Sequence, residues 1–400
     1  MIPCNDSIRD RGASKHLLSG QKGVGGSKVA VSELRAVIAG GGTGGHLFPG
    51  IAVARELEKR VEKPEILFVV GKRPLEAEIL SRYGYPSRSL DVEGLKGGSI
   101  IKKMKVIFGL PGSLSQASDV IRRLKPHFVL GVGGYSSGPV CLAARMMKVP
   151  SAVHEQNSYP GLTNRLLARV VDCCFVSFEE SARFLKCPRI VITGNPVREE
   201  FLEGSGRPDS LTIENQKDMN QSFTLLVVGG SQGAIAVNEA VIEAVKILKG
   251  KGRIIRVIHQ TGKNDLERIS SSYKGFNADA EVSAFIYDMA AAYRKADLVV
   301  GRAGATTIFE LAATGKPSIL VPYPFAANNH QESNARSLVK AGAAEMILQR
   351  DLSGELLCDL IMKYMTGRDL LSSMSRAALG IARPYAAGAI ADGLMEMAHL

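Results

Sequence analysis

Leu34-Arg35-Ala36-Val37-Ile38-Ala39-Gly40-Gly41-Gly42-Thr43-Gly44-Gly45-His46-Leu47-Phe48-Pro49 is the stretch on which the fold turns. A short apolar run ends in glycines, and a proline suited to the first turn of a helix follows, so the spacing predicts strand, tight turn and a helix from Pro49. Glycines let backbone amides approach a phosphate closely, and a helix amino terminus adds partial positive charge. A diphosphate is the natural occupant of such a loop. Gly40, Gly42 and Gly45 also satisfy GxGxxG, but a dinucleotide fold needs an acid at the end of its second strand. Here that strand ends Val69-Val70-Gly71-Lys72, which removes the support for NAD.

The same punctuation recurs along the chain. EILFVV, HFVLGV and PSAVH alternate with helical stretches through Ile79 and Met146, which reads as βαβ units in a parallel sheet. After Arg198 a polar stretch runs to about Ser222 without a clear period. The pattern then restarts with FTLLVVGG, a helix through Leu248, RIIRVIHQTG, DLVVG and KPSILVP. The fold class is therefore α/β, two doubly wound Rossmann-like domains facing across a cleft, with residues 34–198 as the first domain, 199–222 as linker and 223–383 as the second. Gly133-Gly134-Tyr135-Ser136-Ser137-Gly138-Pro139 and Gly229-Gly230-Ser231-Gln232-Gly233-Ala234 repeat the strand, glycine loop, helix placement. Any one such loop is as readily a plain tight turn, but three at strand ends exceed what one nucleotide needs. None contains GxxxxGK[ST], which argues against ATP hydrolysis.

The 400 residues fit two domains of common size, with 45% hydrophobic and 22% charged residues. No run approaches the ~18 apolar residues of a spanning helix. Six cysteines without CxxC spacing suggest neither a disulfide framework nor zinc, and point to a reducing cytoplasm. A net charge of +11 implies a polyanionic partner: nucleic acid, an anionic lipid surface or a diphosphate. Aromatic residues make up only 6%, with no basic-aromatic stacking set, so nucleic acid is disfavoured. Residues 1–33, rich in Gly, Ser and Lys, read as a disordered extension without chemistry.

GGTGGHLFPGIAVA, GGYSSGP, HEQN, GNPVR, GGSQGA, FIYDMAAAY and RAGATTIFELAATGKPSILVPYPFAANNHQESNA occur in the order seen in one family. Over residues 34 to about 390 the chain resembles the MurG family, the UDP-N-acetylglucosamine:lipid I N-acetylglucosaminyltransferases of peptidoglycan synthesis. That resemblance implies the GT-B architecture, with an amino-terminal acceptor and membrane-associated domain, a carboxy-terminal UDP-GlcNAc-binding domain, and residues 384–400 as a helix returning to the first domain. It implies an inverting hexosyltransferase acting on UDP-GlcNAc and lipid I at the cytoplasmic face of the bacterial membrane, with proteins of cell-wall synthesis as partners. Carried over by position, Thr43, Gly44 and Gly45 sit by the donor sugar and phosphates, and Asn157 reads the sugar. Arg198 and Ser231 contact the diphosphate, and the Ile286 backbone meets uracil. Ala305, Thr306, Thr307, Ile308, Phe309 and Glu310 line the ribose and phosphate region, with Glu310 on the ribose hydroxyls and Gln331 on the GlcNAc hydroxyls. Before Gln331 the family is often acidic, whereas this chain reads Ala326-Ala327-Asn328-Asn329-His330.

The residues themselves add two readings of Glu310: the ribose ligand, or the partner of Thr307 in a Thr-x-x-Glu capping box. The implied displacement at the anomeric carbon needs a base and a stabiliser for departing UDP. His46 is the candidate base, since it follows the first glycine loop and imidazole titrates near neutrality. Capping or phosphate binding is its alternative. His154 and Glu155 come second, with His154 equally readable as a satisfied core histidine. Gly133, Gly134, Tyr135 and Ser136 are candidates for the acceptor diphosphate. No DxD motif is placed to hold a metal, so no cofactor is expected, and helix amino termini with Arg198 are the stabilisers. Finally, Lys96, Lys102, Lys103, Lys105, Arg122, Arg123 and Lys125 interleave with Ile100, Ile101, Met104, Val106, Ile107, Phe108 and Leu110. Such a mixture suits docking to an anionic bilayer, or equally a solvated helix face over core residues.

Overall fold

The computed structural model describes residues 31–41, 44–92, 100–202, 223–230 and 233–400, and of residues 100–109 the backbone alone. The extension over 1–30, most of the linker, Lys96, and the site positions Thr43 and Ser231 lie outside the described residues.

The first domain holds β1 (Val31–Ala39), α1 (Gly44–Glu58), β2 (Val61–Val70), α2 (Pro74–Arg82), β3 (Ser87–Ser89), α3 (Ile100–Leu124), β4 (Phe128–Gly131), α4 (Ser137–Met146), β5 (Ser151–Glu155), α5 (Leu162–Leu167), β6 (Cys173–Val176) and β7 (Ile190–Ile192). The second holds β8 (Thr224–Val228), α6 (Ile235–Gly250), β9 (Arg256–Gln260), α7 (Leu266–Gly275), β10 (Asp279–Ser283), α8 (Met289–Lys295), β11 (Leu298–Gly301), α9 (Ala305–Ala313), β12 (Ser318–Leu320), α10 (His330–Lys340) and β13 (Ala344–Met346). Three helices close the chain: α11 (Gly354–Thr366), α12 (Arg368–Gly380) and α13 (Ala386–Met397).

Both sheets are parallel, with strand orders β3-β2-β1-β4-β5-β6-β7 and β10-β9-β8-β11-β12-β13. Each order reverses beside the domain's first strand, and the crevice at such a switch point, at the carboxyl ends of the strands, is where ligands bind in open α/β sheets. The near-continuous apolar strands follow from burial on both faces. Along β1, Leu34, Ala36 and Ile38 enter one core cluster while Val37 and Ala39 enter the cluster on the other face, as the two-residue period requires. Along β8, Leu225 and Val227 divide from Leu226 and Val228 in the same way.

The last helix belongs to the first core. Ile390 and Leu394, one turn apart on α13, are fully buried with Leu47, Ile51 and Phe175. Each such side chain contributes roughly 1.5–3 kcal/mol. Gly393 permits the approach, since a Cβ there would lie 2.7 Å from the Phe175 ring. The chain thus crosses between the domains twice, which limits how far they can part.

The first helix differs from expectation. It starts at Gly44, so Pro49 lies inside α1 and not in its first turn. Proline has no N–H to give the carbonyl four residues back. The carbonyl left without that helical donor is Gly45's, and it is supplied from elsewhere.

Candidate functional site

Two glycine loops of the first domain pack into each other. The Gly41 amide donates to the Gly133 carbonyl at 3.2 Å. Gly134 has φ +83°, and a Cβ on it would lie 2.1 Å from the Gly41 carbonyl oxygen, so only glycine fits. Ser137 fixes the second loop, its hydroxyl donating to the Ala39 carbonyl (2.7 Å) and accepting from the Gly133 amide (3.1 Å). The Ser136 hydroxyl beside it is buried without a hydrogen-bond partner, a group that a ligand oxygen could satisfy.

His46, in the first turns of α1, is half-buried against this junction. Its Nδ1 lies 3.1 Å from the Gln156 side-chain oxygen. From the opposite domain, Thr306 in the first turn of α9 donates its hydroxyl to the Gly45 carbonyl at 3.0 Å. The first glycine loop, the second glycine loop and the amino end of α9 therefore converge around His46.

The loop after β5 is built on Glu155. Its buried carboxylate accepts from the Asn157 amide (2.9 Å), the Asn157 side chain (3.2 Å), the Gly161 amide (3.0 Å) and Asn164 Nδ2 (2.8 Å). Burial pushes this carboxyl up, and the four donors oppose that. So engaged, Glu155 is not placed to act as a base. Its neighbour His154 is 1% exposed, with Nε2 facing Ser177 Oγ (3.2 Å) and the Gly194 carbonyl (3.4 Å). Burial pushes it down to about 4, so it is a neutral core histidine.

Asn157 reaches the second domain through Asn334 of α10, whose Nδ2 lies 3.3 Å from Asn157 Oδ1. Asn334 Oδ1 in turn accepts from both the backbone amide (3.0 Å) and hydroxyl (2.9 Å) of Ser158. Gln331, on the same helix, is half-buried and accepts from the Tyr323 amide at 3.0 Å. Ile286 donates its amide to the buried Gln260 side chain at 2.9 Å, which fixes the backbone at that position.

Arg198 and Glu310 form a buried pair, Nη2 to Oε1 at 3.5 Å. The guanidinium also donates to the Tyr83 hydroxyl (2.9 Å), pairs with Glu200 (3.1 Å) and lies between the rings of Phe48 and Phe201. The capping reading of Glu310 fails here: α9 begins at Ala305 with Gly304 as its cap residue, so Thr307 lies inside the first turn. Burial pushes the Glu310 carboxyl up to about 7 against the lowering effect of Arg198.

The structure thus brings Gly45, His46, Gly133, Gly134 and Thr306 to one point, and Asn157 to the helix of Gln331. Arg198 and Glu310 sit together. Four residues to which the sequence reading assigned no role hold these groups: Gln156, Ser158, Gln260 and Asn334. Three of them, Gln156, Gln260 and Asn334, stand inside quoted stretches. A buried amide carries no periodic signal, and only its partners disclose its task.

Residues 36–176 match the glycosyltransferase family 28 N-terminal domain, and residues 224–389 its C-terminal domain. Among curated proteins, the chain is 44% identical over 367 residues to the UDP-N-acetylglucosamine–N-acetylmuramyl-(pentapeptide) pyrophosphoryl-undecaprenol N-acetylglucosamine transferase of Syntrophus aciditrophicus (strain SB), covering 92% of this chain and 99% of that protein. Among solved structures it resembles Acinetobacter baumannii MurG, with a TM-score of 0.72 and 31% identity over 90% of this chain and 99% of the other. A UDP-N-acetylglucosamine 2-epimerase shares the fold alone, at TM-score 0.65 and 17% identity over 91% and 96%.

Proposed function

The chain belongs to glycosyltransferase family 28, in its branch of MurG N-acetylglucosaminyltransferases, and from that premise we propose how its residues move N-acetylglucosamine from UDP-GlcNAc to the muramyl 4-hydroxyl of undecaprenyl-diphosphate-N-acetylmuramyl-pentapeptide, lipid I, giving lipid II and UDP with inversion. The observation that carries the reading is the convergence at His46. Two phosphate-suited loops of one domain meet the amino end of a helix of the other, where an acceptor and a nucleotide sugar can be held face to face.

Donor binding is assigned to the second domain. The Ile286 backbone, fixed by Gln260, reads uracil, and Glu310 takes the ribose. Ala305, Thr306, Thr307, Ile308 and Phe309 present the start of α9 to the diphosphate, with Gly44 and Gly45 beside it; Thr43 and Ser231 are assigned to it by sequence position alone. Asn157 and Gln331 read the sugar hydroxyls. Gly133, Gly134, Tyr135 and Ser136 take the acceptor diphosphate. As UDP leaves, its charge is met by the amino ends of α6 and α9 and by Arg198, without a metal. His46 accepts the proton of the attacking hydroxyl.

No helix among the described residues is long and apolar enough to cross a membrane. Contact with the cytoplasmic face is assigned to α3 and the adjoining end of α4, where Leu110 and the run Arg145-Met146-Met147-Lys148 are exposed.

The test is UDP release from UDP-GlcNAc with and without a lipid I analogue. Release that depends on the analogue is expected. Conversion of UDP-GlcNAc to its 2-epimer without acceptor would support the reaction of the fold relative instead.

A further inference from the structure

The amide of Gln156 is buried and its orientation is fixed by what surrounds it. One end faces the Val132 carbonyl at 2.7 Å, which only the Nε2 hydrogens can satisfy. The oxygen must then face His46 Nδ1 at 3.1 Å, and a hydrogen bond forms there only if Nδ1 carries the proton. In a neutral imidazole this leaves the lone pair on Nε2. The other Nε2 hydrogen of Gln156 faces His154 Nδ1 at 3.2 Å, so His154 carries its own proton on Nε2, toward the Gly194 carbonyl. Gly133 packs against the same Nδ1 edge of the His46 ring: a Cβ on it would lie 2.9 Å from Nδ1 and 3.5 Å from the Gln156 oxygen.

We infer that Gln156 is the positioning residue of the transfer step, holding the proton on His46 Nδ1 so that the Nε2 lone pair takes the proton of the attacking hydroxyl. In that step the bond from the muramyl oxygen to the anomeric carbon forms and the O–H bond breaks, its proton passing to Nε2. The bond from the anomeric carbon to the diphosphate oxygen breaks, and its electron pair leaves with UDP. The inference rests on the reading of His46 as the base.

The test uses the full chain labelled with ¹⁵N-histidine, whose ring nitrogen shifts report the tautomer, together with steady-state kinetics on a lipid I analogue. Wild type should show His46 protonated on Nδ1. Gln156→Leu removes both the acceptor and the donor, and should mix the tautomers and lower kcat by roughly 10- to 100-fold, part of what a positioned base supplies. Its KM for UDP-GlcNAc should stay near wild type, while its melting temperature falls, because the buried Val132 carbonyl and His154 Nδ1 lose their donor. Gln156→Glu keeps an acceptor opposite Nδ1 and should retain that tautomer and more activity than the Leu variant. In a His46→Asn background, Gln156→Leu should have no further effect on kcat. A wild-type kcat for Gln156→Leu, an unchanged tautomer in it, or an equal loss in the His46→Asn background would overturn the inference. A wild-type kcat for His46→Asn alone would instead overturn the reading of His46 as base, whatever the tautomer.

Discussion

Thr306 donates its hydroxyl to the Gly45 carbonyl at 3.0 Å, the one carbonyl of α1 that Pro49, four residues on, cannot serve. A gap in one domain's helix is filled by a side chain of the other, so the hydrogen bond forms only when the domains face each other. It therefore reports closure of the cleft beside His46.

Thr306→Val keeps the shape and removes the donor. A lost hydrogen bond of about 1 kcal/mol should lower kcat/KM for UDP-GlcNAc by roughly fivefold, with the melting temperature of each domain little changed. Steady-state kinetics and calorimetry check this; full activity in the Val variant would make the contact incidental to closure.

Glu310 gives a dependence on pH. Its carboxyl is pushed up to about 7 in the folded chain by burial, against about 4.3 for an unstructured glutamate. The folded chain holds this proton more tightly, so the contribution to stability is present in full below about pH 4.3 and is lost as pH rises through about 7. Glu310→Gln is neutral throughout and should flatten the fall in melting temperature between pH 5 and 8. Glu310→Ala should raise the KM for UDP-GlcNAc, as loss of a ribose contact would.

The sequence carried the sheet pattern because buried parallel strands read as apolar runs and glycines mark their carboxyl ends. It misplaced the start of α1, since Pro49 is as permissible inside a helix whose lost bond is supplied from outside as it is in a first turn. It could not separate a capping box from a ligand role at Glu310, because both need the same spacing; the cap at Gly304 and the pair with Arg198 are tertiary facts. Gln156 and Asn334 were visible as letters, but their work depends on which carbonyls and amides the fold sets opposite them.

Asn334→Ala removes the acceptor shared by the Ser158 amide and hydroxyl, both buried. Leaving such a donor unsatisfied costs about 1–3 kcal/mol. Lower thermal stability is expected, with a raised KM for UDP-GlcNAc because Asn157 loses its partner. A change in stability with donor kinetics untouched would confine Asn334 to a structural role.

Turnover should survive chelation. In the proposed donor site the amino ends of α6 and α9 would supply fixed positive potential at the departing diphosphate, and the sequence has no DxD motif placed to hold a metal on it. Activity measured in excess EDTA should match that in buffer alone. If EDTA abolished it and Mg²⁺ restored it, the helix-terminus account would be wrong.

The membrane face gives the remaining prediction. Lys102, Lys103 and Lys105 stand in the first turns of α3, and their side chains lie outside the described residues. Further along the helix Leu110 is exposed, as are Met146 and Met147 at the end of α4, which packs against α3. Each basic side chain near an anionic surface contributes roughly 1 kcal/mol, an effect that fades within a Debye length. Replacing the three lysines with glutamine should therefore weaken binding to phosphatidylglycerol vesicles by about a hundredfold at low salt, and leave turnover of a short-chain, water-soluble acceptor intact. The apolar side chains bury area that salt does not screen, so raising ionic strength should release the wild type only in part, and Met146→Ser with Met147→Ser should remove the salt-resistant fraction. Wild-type vesicle binding by the triple variant, or an equal loss of activity on the soluble acceptor, would make α3 a structural element and place the membrane contact elsewhere.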